Sequence, residues 1–406
     1  MEHELGALMS GGEGLLLGRD LPAGGSSVAR GTALATAVST VGILPAYLAG
    51  ALGPQIRSDL RVGPAAVGLA LSACFISQSL FSARLGRIVD RLGPVTSLRA
   101  AALATAVVAA AIAAGTGSFA TLVVLLLATG TVNGVAQLAA SATVADSVPQ
   151  HRQGVAFGIK EAAKPAATLL CGFAVPVVVL VSWRWAFAAC GALSLALLYA
   201  SGGHADARAP VRRPAASAGR APLALWMLAV AAALGSAVGT TAGTFLADTV
   251  MSAGLSARSA GALLAVASVT SIVIRVVIGA RADRLSRGHL LRVAGLLAAG
   301  APGFLLLAVG SGPALVLGAM LAFGGGWGWA GLLNFAVVRR NRDGAATAAG
   351  TVLAGASFGG GSGPLVFGLV AEHSSYEAGW WLCCALALMA ALVVLAARVR
   401  LLREAA

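Results

Sequence analysis

The chain's only two lysines stand four residues apart in one apolar stretch, Gly158-Ile159-Lys160-Glu161-Ala162-Ala163-Lys164-Pro165. On a helix, Lys160 and Lys164 share a face, and Glu161 is close enough to Lys164 to pair with it. Pro165 has no N–H for the carbonyl of Glu161, so that oxygen needs another donor. A locally opened helix beside a cavity would satisfy it. A further cation, Arg275, lies in a second apolar run, four residues before Gly279. In an apolar medium such groups attract an anion, and a lone acid among them can take up and release a proton. Asn133, Gln137, Asn334 and the threonines Thr240, Thr241 and Thr244 add hydrogen-bonding capacity in other apolar runs. The residues of catalysis are missing: there is no His-Glu-x-x-His, no Gly-x-Ser-x-Gly and no pair of carboxylates within the apolar runs. Cys74, Cys171, Cys190, Cys383 and Cys384 all sit in apolar runs, without the spacing of a zinc site or a disulfide framework. No enzyme, metal or cofactor is expected.

The elements that carry these residues follow from composition. Of 406 residues 58% are hydrophobic and 11% charged, against about 25% charged in a soluble domain. Uncharged runs recur at the roughly 20-residue length of a bilayer-crossing helix. The chain therefore reads as an all-α membrane protein with twelve transmembrane helices. Six lie within residues 31–200 and six within residues 223–398. Residues 1–30 form a Gly-rich, acidic N-terminal tail with neither the basic start nor the apolar core of a signal peptide. Residues 201–222, with four arginines and three prolines, form a linker, and residues 399–406 a C-terminal tail.

Most of the 28 basic residues fall between apolar runs on one side. The other side has only Arg57, Arg61, Arg184 and Arg258. By the positive-inside rule both termini and the linker are cytoplasmic, in a plasma (inner) membrane. The same placement excludes a nucleic-acid partner despite a net charge of +13. Lys160 can snorkel from the cytoplasmic surface. Lys164, about 15 Å beyond Gly154 at 1.5 Å per residue, cannot.

Two turns repeat. Gly86-Arg87-Ile88-Val89-Asp90-Arg91-Leu92 follows the second expected span, and Gly279-Ala280-Arg281-Ala282-Asp283-Arg284-Leu285 follows the eighth. Arg152-Gln153-Gly154 before span five recurs as Arg342-Asp343-Gly344 before span eleven. Gly permits close helix approach, and Asp can accept hydrogen bonds from a helix N-terminus. The paired Gly-x-x-x-Asp-Arg-Leu turns resemble the signature loop of the major facilitator superfamily, over nearly the whole chain. The resemblance implies two pseudo-symmetric six-helix bundles around a central site that opens to each side in turn. It implies a cytoplasmic gate at Gly86, Asp90, Arg91, Gly279, Asp283 and Arg284. Asp90 is expected to matter more than Asp283, because the second copy ends in Ser286 where the first has Gly93.

Some positions depart from the family pattern. Pro94 and Val95 replace basic residues, span four has no buried Arg, and span five has Lys164-Pro165 in place of the Gly-Pro motif of drug–proton antiporters. Arg275-x-x-x-Gly279 resembles span eight of monocarboxylate transporters, in which such an Arg engages the substrate carboxylate, although Ser271 replaces the usual acid one turn earlier. Spans five and eight face each other in the superfamily. The resemblance thus places Lys160, Lys164, Arg275 and Glu161 in one net-positive cavity. The expected function is proton-coupled secondary transport of a small organic anion, a carboxylate, by a monomer in the bilayer. Lys160, Lys164, Arg275, Asn133, Gln137 and Asn334 would bind substrate, and Glu161 would carry the proton. Efflux of an antibiotic-like or amphipathic metabolite is the alternative.

Overall fold

The computed structural model describes residues 25–201, 223–285, 288–341 and 345–404. Most of the N-terminal tail and of the linker, together with Ser286, Arg287, Arg342-Asp343-Gly344, Ala405 and Ala406, lie outside the described residues. The described elements are helices: α1 (Gly25–Ala51), α2 (Gly53–Leu60), α3 (Pro64–Leu92), α4 (Pro94–Gly115), α5 (Phe119–Ser147), α6 (Gln153–Glu161), α7 (Ala163–Val177), α8 (Arg184–Ala200), α9 (Leu223–Ser252), α10 (Ala257–Arg284), α11 (His289–Val309), α12 (Gly312–Leu321), α13 (Ala330–Arg340), α14 (Ala345–His373) and α15 (Tyr376–Arg403). Helices dominate because a bilayer offers backbone groups no water, so each must be satisfied within its own segment. Turns fall where sequence marks them. Gly93 takes a positive φ of 78° between α3 and α4, prolines open α3 and α4, and Ser118, Ser256 and Ser375 cap α5, α10 and α15.

Ten helical segments among the described residues are long and apolar enough to cross a membrane, taking Gly312–Arg340 as one. The expected fifth and sixth spans are the two outside that set. The fifth is divided at Ala162 into α6 and α7, and the sixth, α8, has 17 residues. The break falls where the sequence marks it: Pro165 removes the hydrogen bond that would carry the helix past Glu161. Span ten is interrupted as well. A π-helical turn over Ala322–Gly326 separates α12 from α13, where Gly325 and Gly326 pack against Gly300 of α11.

Helix pairing repeats along the chain. α4 packs on α8 as α11 does on α15, and α1 packs on α7 as α9 does on α14. Between the first and second groups of helices, α3 packs on α14 and α6 with α7 pack on α10. Glycines permit the close approach. A Cβ at Gly158 would meet the Arg275 carbonyl at 2.6 Å, and one at Gly172 the Gly261 carbonyl at 2.7 Å.

The end carrying the repeated turns is here the loop end, and the opposite one the far end. At the far end the two groups are tied together. Arg57 of α2 makes a paired contact with Asp248 of α9, Tyr376 donates to the same carboxylate, and Glu372 accepts from the N–H of Ala65 at 3.0 Å. Nearby, the Trp183 indole N–H and then Arg184 hold the exposed Asp59 carboxyl below the usual carboxylate range. At the loop end α3 and α14 separate around a cavity of about 840 Å³, lined by Gln78, Ser82, Leu138, Trp226, Ala233 and Phe358 among others.

Candidate functional site

Two helix breaks and one arginine form the centre of the site. The carbonyl left free by Pro165 is that of Glu161, and Nη1 of Arg275 donates to it at 3.0 Å. Nη2 of Arg275 donates to the carbonyl of Trp327, just past the π-helical turn of span ten. Its Nε reaches Ser271 Oγ at 3.4 Å, and the guanidinium lies 5.6 Å from the centroid of the Trp327 ring. Arg275 is 2% exposed. Three of its donors serve protein atoms, two of them carbonyls that broken helices leave unpaired. Ser271, which stands where the monocarboxylate pattern has an acid, is one of those partners.

The Glu161 carboxylate accepts from Lys160 Nζ at 2.8 Å and from Asn334 Nδ2 at 3.3 Å. The expected pairing was with Lys164. The break after Glu161 turns its side chain to the adjacent lysine instead. Lys160 and Glu161 are buried. Lys164 is half-buried and makes neither a hydrogen bond nor an ion pair among the described residues. Thr168, one turn further along the same face of α7, shares a hydrogen bond of 2.7 Å with Ser268 of α10. Lys160, Glu161, Lys164, Arg275 and Asn334 are thus brought together.

Asn133 and Gln137 are placed differently. Asn133 donates to Gln78 of α3 at 3.3 Å, and Gln137 donates to Asn133 at 3.5 Å. This amide ladder stands behind the loop-end cavity, where Gln78 is a lining residue. Gln78, Tyr47, Trp327, Arg57 and Asp248 were not singled out from sequence. Only the cluster Gly324-Gly325-Gly326-Trp327-Gly328 carried a legible signal, four glycines in five residues of a span.

The repeated turns are not equivalent. Asp283 accepts from the N–H groups of Gly154 at 2.7 Å and Val155 at 2.9 Å, capping the start of α6 across the two groups of helices. A Cβ on Gly279 would meet the Gly154 carbonyl at 2.5 Å, so this glycine is needed for the approach. In the first copy Asp90 and Arg91 are exposed, and a Cβ on Gly86 would meet open space. Arg284 is also exposed. In this conformation Asp283 is engaged and Asp90 is not, because α3 and α14 separate at the loop end while α6 remains on α10. A lost cap costs about 1 kcal/mol, so Asp283→Ala should shift the closing equilibrium about fivefold. With the native cysteines replaced, a cysteine at Val155 should react with a polar thiol reagent about fivefold faster in Asp283→Ala, and at an unchanged rate in Asp90→Asn.

The sequence profile of the Major Facilitator Superfamily matches residues 31–352. No curated protein sequence matches the chain. Solved structures do. The human organic anion transporter MFSD10 (TETRAN) is similar at 19% identity and a TM-score of 0.67, covering 89% of this chain and 99% of that one. The proton:xylose symporter XylE, bound to 6-bromo-6-deoxy-D-glucose, is similar at 15% identity and a TM-score of 0.69, over 90% and 95%. A bacterial homolog of the human lysosomal transporter Spinster, inward-facing and occupied, has 15% identity and a TM-score of 0.67, over 91% and 96%. At these identities the likeness is one of fold.

Proposed function

The chain belongs to the Major Facilitator Superfamily, and on that premise we propose that it moves a small organic anion across the membrane by alternating access, coupled to protons. The observation that carries the substrate class is Lys164: a half-buried cation, deep in span five, with no hydrogen bond or ion pair among the described residues. An unpaired charge in a membrane interior is costly, and an anionic occupant offsets that cost. A carboxylate on Lys164 would lie beside Arg275, whose positive charge adds to the attraction. One protein of similar fold, human MFSD10, is an organic anion transporter, in keeping with this class.

The rest of the proposal extends the membership with the expectations from sequence. All twelve expected spans cross the bilayer, in halves 31–200 and 223–398. The tails and the linker 201–222 are cytoplasmic, the membrane is the plasma membrane, and the unit is a monomer. Closing the loop-end cavity carries Asp90 to the start of α14, as Asp283 now sits at the start of α6. Glu161 exchanges Lys160 for a proton during the cycle. The rival reading, export of an amphipathic compound, draws on the same cavity, whose lining residues include no charged side chain.

Substrate binding to purified protein separates the two. Wild type should bind monocarboxylates in preference to the matched amides and amines. A hydrogen bond to a charged group contributes about 1.5–3 kcal/mol, so Lys164→Ala should weaken binding about tenfold to a hundredfold, and Lys164→Arg less. Preference for cations or neutral amphiphiles would put export ahead.

A further inference from the structure

Tyr47 of α1 is fully buried, and its hydroxyl has no hydrogen-bond partner. A buried phenol in an apolar interior ordinarily finds one. The Thr240 hydroxyl is near but outside hydrogen-bonding geometry. The ring is wedged at the centre of the fold. It lies 5.8 Å from the ring of Trp327, and a Cβ on Gly243 would meet Tyr47 at 3.0 Å, Thr168 at 3.1 Å and Trp327 at 3.2 Å. Four chain segments, α1, α7, α9 and the break in span ten, therefore converge on the missing side chain of Gly243.

Direction matters as well. α1 runs from the loop end to the far end, so the Tyr47 side chain leans back toward the loop end. α7 runs the same way, and Lys164 lies one turn on the loop-end side of Thr168, on the same face. The Tyr47 ring beside Thr168 thus leans toward the level of Lys164. The charge of Arg275 acts on the Tyr47 hydroxyl as it does on Lys164 and Glu161. A donor without an acceptor and a cation without a hydrogen bond thus stand on two helices packed against each other.

We infer that the Tyr47 hydroxyl is a substrate contact, donating a hydrogen bond to the anionic group that Lys164 attracts. This rests on the anion reading above and adds a second anchor to it. A charge and a fixed donor on different helices select a compact oxyanion, a carboxylate whose two oxygens can serve both, over a halide or a diffuse anion. Substrate would also tie α1 to α7 at their point of convergence.

The test uses the full-length protein in lipid nanodiscs and calorimetric titration with formate, lactate, benzoate and octanoate. Wild type, Tyr47→Phe, Lys164→Ala and the double variant are compared, with thermal unfolding of each unliganded protein. Tyr47→Phe should weaken the best carboxylate about tenfold. The two losses should be less than additive in the double variant, because both groups hold one oxyanion. Unliganded Tyr47→Phe should melt no lower than wild type, because the hydroxyl it removes has no partner in the protein. If Lys164→Ala weakens binding while Tyr47→Phe does not, the contact is refuted and the anion reading stands. If wild type binds none of the four, or Lys164→Ala binds undiminished, both fall. A lower melting temperature for unliganded Tyr47→Phe would show the hydroxyl bonded within the protein and would also overturn the proposal.

Discussion

Arg275→Ala should lose transport and lower the unfolding midpoint of the purified protein by about 10 °C. The substitution strands the carbonyls of Glu161 and Trp327, each at a helix break in a region without water. Leaving a buried acceptor unsatisfied costs about 1–3 kcal/mol, and the lost packing of the guanidinium on Trp327 adds to that. A total of about 3–5 kcal/mol corresponds to a shift of roughly 10 °C in a domain of 150–250 residues. Arg275→Lys should fall between the two. One ammonium can reach either carbonyl but has no planar fork to hold both at once. The measurement that decides is thermal unfolding in detergent, made without substrate. A variant that melts like wild type and loses only anion affinity would return Arg275 to the direct carboxylate contact that the sequence suggested.

Glu161→Gln should abolish accumulation driven by a pH gradient while leaving exchange of substrate at equilibrium. The carboxylate holds Lys160 at 2.8 Å and Asn334 at 3.3 Å, and a proton on it would compete with the ammonium for the same oxygen. Gln keeps an acceptor for Asn334 and has no site for the proton. The ion pair with Lys160 is lost, so expression and melting temperature should be read alongside; breaking a buried pair from one side costs about 3–5 kcal/mol. Glu161→Asp separates the causes, since it keeps the charge and shortens the reach. The assay is uptake into proteoliposomes, once with an imposed pH gradient and once as counterflow at equal pH. Persistence of gradient-driven accumulation in Glu161→Gln would leave Glu161 as a structural partner of Lys160 and move the coupling elsewhere.

The sequence by itself determined that this is a polytopic helical membrane protein, because apolar runs of bilayer length leave the backbone no other way to satisfy its hydrogen bonds. It determined the internal repeat, because Gly279 and Asp283 are needed by type at those spacings wherever two helices meet closely and one caps the other. It also marked the break in span five, since Pro165 lacks an N–H whatever surrounds it. It could not say who would take the freed carbonyl. Arg275 is 114 residues from Glu161, and only the packing of α6 against α10 turns an apparent ligand for substrate into a partner for backbone. The same holds for the choice of Lys160 over Lys164 by Glu161. Helical spacing allows the second pair, and the kink at Ala162 selects the first. Which of the two repeated aspartates is engaged was decided by tertiary structure alone. Similar local motifs feel different fields once α3 and α14 separate at the loop end and α6 stays on α10. Tyr47 carried no signal in the sequence, because a tyrosine in an apolar helix becomes informative only when its neighbours are known and none of them bonds to its hydroxyl.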